Sequence, residues 1–238
     1  MKILFVHGAL VFDGAWWWHR MVEPLTALGL ETLAVELPSC VDSPGDAGEA
    51  PGDMYADADA VIAAIDEEDE PVVLVGHSYG GMVITDAAAG RANVEHLVYM
   101  TSVMPELGET MTSFSRSREP GPWMDPCPED GTMGLKTEFL PKAFMQDCDE
   151  AAVAEALERV TRQPLVAFGQ TPRAVAWREK SSTYVVCAED RATPPEAQRE
   201  FARRADSVVE LPTGHHPMLS RPEMLARVLA EAASGAVS

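Results

Sequence analysis

Short apolar runs rich in branched residues recur along the chain: Ile3–Val6, Thr32–Glu36, Val72–Gly76, Leu97–Met100, Thr183–Cys187 and Ser207–Leu211. Each has the length of a strand, and most lack an alternating polar position. Such runs suit strands buried on both faces, as in a parallel sheet. Helical patterns lie between them. Trp17–Leu28 carries apolar residues at helical spacing and stops before Gly29. Met54–Glu68 sets Ala58, Val61, Ile62 and Ile65 on one side. Tyr79–Ala89, Pro195–Ala205 and Pro222–Ala233 complete the series. Strands alternating with helices predict an α/β fold, a doubly wound and mostly parallel sheet of six strands.

One region breaks the rhythm. From Pro105 to Arg178 there are helical pieces, such as Ala151–Val160, but no strand pattern. Gly121–Pro128 is punctuated by prolines and reads as loop. We expect residues 105–178 to form a helical cap inserted between core segments 1–104 and 179–238. Caps exclude water and shape the choice of substrate. No internal repeat is visible.

Composition narrows the partners. A chain of 238 residues fits one domain with an insertion. The net charge is −20, from 18 basic and 38 acidic residues. That balance speaks against nucleic acid and anionic membrane, which need clustered Lys and Arg, and suits a solvated acidic surface. The opening M-K-I-L-F-V-H-G-A is too short in its apolar run for a signal peptide. No run of about 18 apolar residues exists to span a bilayer. Cys40, Cys127, Cys148 and Cys187 are widely spaced and without a C-x-x-C, so reduced thiols in a cytoplasm are expected. A homodimer through an apolar patch on the insert is left open.

The chemistry concentrates at Gly76-His77-Ser78-Tyr79-Gly80, a G-x-S-x-G. The pattern alone is modest evidence, and its context adds to it. A strand runs into Gly76 and a helix leaves from Tyr79, the strand–turn–helix of a nucleophile elbow. Glycines at 76 and 80 remove Cβ atoms that would collide at so sharp a turn. Ser78 would then stand at a helix N-terminus, where the dipole favours developing negative charge. A serine hydroxyl needs a base, and the base an orienting acid. In this fold they follow in the order Ser, acid, His.

After Tyr184–Cys187 come Glu189 and Asp190. Asp190 fits the D-x-x-x-P spacing to Pro194 and is preferred, its plain alternative being a helix cap. After Ser207–Leu211 come His215 and His216. His215, just past the loop freed by Gly214, is preferred as base, with His216 at the pocket wall or surface. The oxyanion needs donors. The backbone N–H groups of Tyr79 and of Ala9, in the turn His7-Gly8-Ala9, are expected to supply them. His7 and His77 read as turn supports, and His19 and His96 as ordinary surface or half-buried groups. Gly8, Leu10, Met104, Trp123, Phe144 and His216 are the candidate substrate-binding residues. Trp16-Trp17-Trp18 reads as helix packing, with one ring at the pocket. No metal-ligand spacing, P-loop or dinucleotide fingerprint is present, so no metal or cofactor is expected.

These motifs resemble a known family over nearly the whole chain. Phe5-Val6-His7-Gly8-Ala9 with Gly14-Ala15-Trp16-Trp17-Trp18, the elbow, Val103-Met104-Pro105, and the loops around Asp190 and His215 are similar to the α/β-hydrolase superfamily. Within it they resemble the branch of small plant methylesterases and hydroxynitrile lyases with their bacterial relatives. The resemblance implies a core lacking the first strands of larger hydrolases, a small helical cap, and the roles named for Ser78, Asp190 and His215. The branch's lyases carry Thr after the first His and Lys after the base His; here Gly8 and His216 stand there. Leu10-Val11-Phe12-Asp13 is about two residues longer than the branch's loop.

The sequence therefore predicts a serine hydrolase of small carboxylic esters, aryl or methyl. Two rivals stand beside it. One is a hydroxynitrile-type lyase, or a lactone hydrolase or cyclase, on the same fold. The other is a small-ligand-binding protein with vestigial catalysis.

Overall fold

The computed structural model describes residues 1–40, 52–114 and 121–235. Parts of the predicted segments therefore lie outside the described residues: 115–120 of the cap, and 41–51 and 236–238 of the core.

The strands β1 (Lys2–Val6), β2 (Glu31–Val35), β3 (Val72–His77) and β4 (Val94–Met100) come from the first half of the chain. After the insertion, which holds β5 (Met124–Cys127), β6 (Thr132–Leu135) and β7 (Gln163–Pro164), come β8 (Ser181–Cys187) and β9 (Ser207–Leu211). The main sheet has the order β2-β1-β3-β4-β8-β9, and every pairing in it is parallel. The expected six-stranded sheet is thus formed, among the described residues, from the six predicted runs.

Side chains explain why the runs lack polar positions. Leu4, Val6, Leu74, Leu97, Tyr99 and Val186 point to one face, and Ile3, Phe5, Val73, Val75, Val98 and Val185 to the other. The first face is covered by α2 (Met54–Asp66) and α3 (Gly80–Ala87). The second is covered by α1 (Gly14–Ala27) and α8 (Pro222–Ala233). Burying each large side chain stabilises by about 1.5–3 kcal/mol, so both faces drive folding. Within α1, Trp18 stacks on Phe5 with centroids 4.1 Å apart, the packing role expected of the tryptophan run. No helix among the described residues is long and apolar enough to cross a membrane.

From β1 the chain leaves through α1 to β2, then returns through α2 to β3 on the other side of β1. Strand order reverses there. Open α/β sheets bind ligands at the carboxyl ends of strands beside such a point.

The insertion differs from expectation. β5 and β6 form an antiparallel hairpin, and β7 joins β6. The stretch Gly121–Pro128, read as loop, therefore contains a strand. Its Pro126 sits opposite Met133, on the outer strand of the small sheet, where a missing N–H is tolerated. Helices α4 (Glu150–Leu157) and α5 (Leu165–Gly169) supply the helical part. The remaining helices, α6 (Pro195–Ala202) and α7 (Pro217–Ser220), lie beyond the insertion and flank β9 in sequence.

The longer loop after β1 lies against the end of this insertion. Val11 bridges Val160, Thr161 N–H donates to Leu10 O at 2.9 Å, and Phe12 N–H to Arg159 O at 3.1 Å. Arg159 Nε reaches Asp13 Oδ2 at 2.9 Å.

Where α3 leaves the sheet, backbone meets backbone. A Cβ on Gly80 would lie 2.5 Å from Val6 O and 2.9 Å from His7 O. Neither carbonyl can swing aside without breaking the end of β1. Gly80→Ala is expected to destabilise the protein by about 1–3 kcal/mol, read from the midpoint of urea unfolding. An unchanged midpoint would refute this close approach.

Candidate active site

β3 ends at His77, and the next residue, Ser78, has φ 54°. A non-glycine residue in the left-handed region costs of order 1–3 kcal/mol and persists only where its surroundings hold it. Here Ser78 N–H donates to Met100 O at 3.1 Å, and its carbonyl accepts from Ser102 Oγ. A Cβ on Gly76 would meet Gly80 O at 2.8 Å, so the glycines stand where the predicted collisions would occur. A Cβ on Gly8 would lie 3.3 Å from Ser78 Cβ, which places the loop after β1 against the serine.

The expected acid and base follow β8 and β9, on the far side of β4 from the serine's strand. His215 Nδ1 and Asp190 Oδ2 are 2.7 Å apart, in side chains that are nearly or fully buried. Glu189, its rival, is exposed, and its N–H goes to Thr213 O. Asp190 is not the cap of α6, whose N-cap is Pro194. Its Oδ1 instead accepts from Ala192 and Thr193 N–H, at 2.7 and 3.0 Å. Burial pushes the Asp190 carboxyl up, but His215 beside it, with the Thr101 and Thr193 donors, brings it below the usual carboxylate value. An Nδ1–H that donates to a carboxylate leaves Nε2 as the basic nitrogen. The Ser78 hydroxyl makes no hydrogen bond to His215 among the described residues.

Three other histidines surround this pair, all buried. Burial lowers His7, holds His77 well below the ordinary histidine value, and brings His216 down to about 3. They are neutral at pH 7. His77 Nε2 bonds His215 O at 2.8 Å, and His7 Nδ1 bonds Gly8 O at 2.9 Å, so both support turns as expected. His216 bonds Phe144 O at 3.0 Å and packs on Trp17 with centroids 5.0 Å apart. It is buried, not at the surface.

The N–H groups of Ala9 and Tyr79 donate to no other group among the described residues. Leu10, the next residue, has φ 65° and is buried. Phe144 meets His215 edge-on at 5.3 Å and Trp123 at 5.4 Å. Trp123 and Phe144 are thus joined to His215 ring by ring. Met104 is fully buried, in the layer under α3, and its carbonyl accepts from Arg204 at 2.6 Å.

Two residues of the site were missed by the sequence reading. Thr101, just past β4, has φ 39°, and its hydroxyl donates to Asp190 Oδ2 at 2.5 Å. Gln198 Nε2 reaches the same oxygen at 3.2 Å. Thr101 carried one usable signal: it lies at the carboxyl end of a strand, where α/β sheets bind ligands. Gln198 looked like any polar residue of a surface helix, yet it is fully buried.

The chain as a whole is similar to known proteins. Pyrethroid hydrolase from Sphingobium wenxiniae is 29% identical, covering 96% of this chain and 86% of its own. Polyneuridine aldehyde esterase from Rauvolfia serpentina is 26% identical, covering 95% and 93%. A crystal structure of a pyrethroid hydrolase from Sphingobium faniae superimposes with a TM-score of 0.84 at 28% identity, covering 98% of this chain and 97% of that one. These relatives fall in the branch that the motifs resemble. A family model for the alpha/beta hydrolase family matches residues 3–228. Running from the first strand into the last helix, that match leaves one conclusion: the chain belongs to the alpha/beta hydrolase family.

Proposed function

We propose that this protein hydrolyses small carboxylic esters, aryl or methyl, through Ser78, His215 and Asp190. The observation that carries the reading is the buried 2.7 Å His215–Asp190 pair beside a serine held at positive φ. The names of the relatives, a hydrolase and an esterase, support ester substrates.

Ser78 Oγ attacks the ester carbonyl, and His215 Nε2 takes its proton. Catalytic hydrogen bonds often tighten only around substrate, and the Ser78–His215 contact forms in this way. Asp190 holds the imidazole tautomer and stabilises the imidazolium. The Ala9 and Tyr79 N–H groups bind the oxyanion. His215 returns its proton to the leaving alcohol, and water cleaves the acyl-enzyme. Residues 105–178 act as the cap, and Trp123 and Phe144 offer an apolar, aromatic wall next to the base. Four unpaired cysteines support a reducing compartment, the cytoplasm.

The test is release of p-nitrophenol from short-chain p-nitrophenyl esters. Ser78→Ala is expected to lose roughly 10³-fold or more, and Asp190→Asn roughly 10²–10⁴-fold. Glu189→Gln should stay within about twofold, as exposed positions usually do. Equal activity in wild type and Ser78→Ala overturns the reading.

The same pair has a stability signature. Asp190's folded value lies below its unfolded one, so its contribution is present above about pH 4 and is lost as the pH falls through the folded value. Asp190→Asn is therefore expected to cost about 1–3 kcal/mol at pH 7 and much less near pH 3. Thermal melts of both proteins across that range check this; a gap that stays constant with pH contradicts it.

A further inference from the structure

A buried polar chain runs beneath the site and belongs to none of the roles above. It starts at Leu10 N–H, which donates to Gln163 Oε1 at 3.2 Å. Gln163 Nε2 donates to Ser39 Oγ at 2.7 Å, and Ser39 Oγ to Asp57 Oδ2 at 2.6 Å. The Tyr79 hydroxyl donates to the same Oδ2 at 2.6 Å, and Ser39 N–H to Oδ1 at 2.8 Å. Gln163, Ser39, Asp57 and Tyr79 are all fully buried. Every donor along this chain finds its acceptor.

The two ends of the chain matter. Leu10 follows Ala9, and Tyr79 follows Ser78. The residues expected to bind the oxyanion through their N–H groups are therefore fixed from below by one connected network. Leu10 also needs such fixing, because its φ of 65° is a conformation that leucine rarely adopts. Gln163 belongs to β7 of the insertion, and Asp57 to α2 of the core. The network thus joins three separate parts of the chain at one point.

We propose that Gln163, Ser39 and Asp57 are positioning residues that set the distance between the Ala9 and Tyr79 N–H groups and so tune transition-state binding. This rests on the esterase reading given above. An oxyanion hole works only when its donors are preorganised, and loss of one donor costs roughly 10²–10³ in rate. Here both donors remain when the network is cut, but their spacing loosens. The expected loss is therefore smaller, roughly tenfold.

Gln163→Met and Ser39→Ala each remove a link while keeping most of the buried volume. With p-nitrophenyl acetate, each is expected to lower kcat roughly tenfold while KM stays within about twofold. Affinity for a phenylboronic acid, which forms a tetrahedral adduct on the serine, should fall by a similar factor. The alkaline and acid limbs of the kcat/KM profile should not move, because the His215–Asp190 pair is untouched. The double variant should be no worse than the worse single one, since either cut opens the same chain.

Wild-type kcat and boronate affinity in both single variants overturn the inference, as does a double variant whose losses multiply. Should Gln163→Met fail to fold, Ser39→Ala alone decides by the same kcat and boronate criteria. A wild type that neither turns over an ester nor takes up the boronate overturns the esterase reading itself, and this inference with it.

Discussion

The approach of α3 to the end of β1 fixes everything else in the site. Gly80 lies so close to the carbonyls of Val6 and His7 that no side chain fits between them. That contact forces the chain to turn sharply after β3, and the turn puts Ser78 at φ 54°. It also brings the turn His7-Gly8-Ala9 beside the serine. A backbone contact of this kind is less tolerant than side-chain packing, since neither partner has a rotamer to change. Ser78 and the turn after β1 are therefore set by one constraint, and Asp190 and His215 follow strands β8 and β9.

Charge in the site is arranged by burial and pairing together. Four histidines cluster at the carboxyl end of the sheet, and among the described residues only His215 has a carboxylate partner. His7, His77 and His216 are kept neutral by desolvation. Asp190 in turn is surrounded by donors from Thr101, Gln198 and two backbone N–H groups, which leaves its charge fully satisfied inside the protein.

Much of this was legible in the sequence, and the reasons are physical. A strand buried on both faces must be apolar at every position, so the six runs could be read directly. The elbow could be read because a strained turn demands small residues at set places. Asp190 and His215 could be read because each lies just past such a run. The hairpin of the insertion could not be read. Its two strands are four residues long, β5 carries Pro126, and β6 takes its second partner from the distant Gln163. Thr101, Gln198 and the chain from Gln163 to Asp57 were hidden for a related reason. A polar residue on a helix or loop looks solvated until tertiary structure buries it against another segment, and no local pattern records that.

The loop Leu10–Asp13 has a further consequence. It is held by contacts with residues 159–163, not left as a bulge into solvent. The insertion is thus not an interchangeable lid resting on a finished catalytic platform. Part of the platform's own scaffold is carried by it. A chimera whose graft replaced residues 159–163 would leave the loop after β1 without these braces, whatever the quality of the graft's own fold. The two segments therefore act as one piece of scaffold, although they are 153 positions apart in the chain.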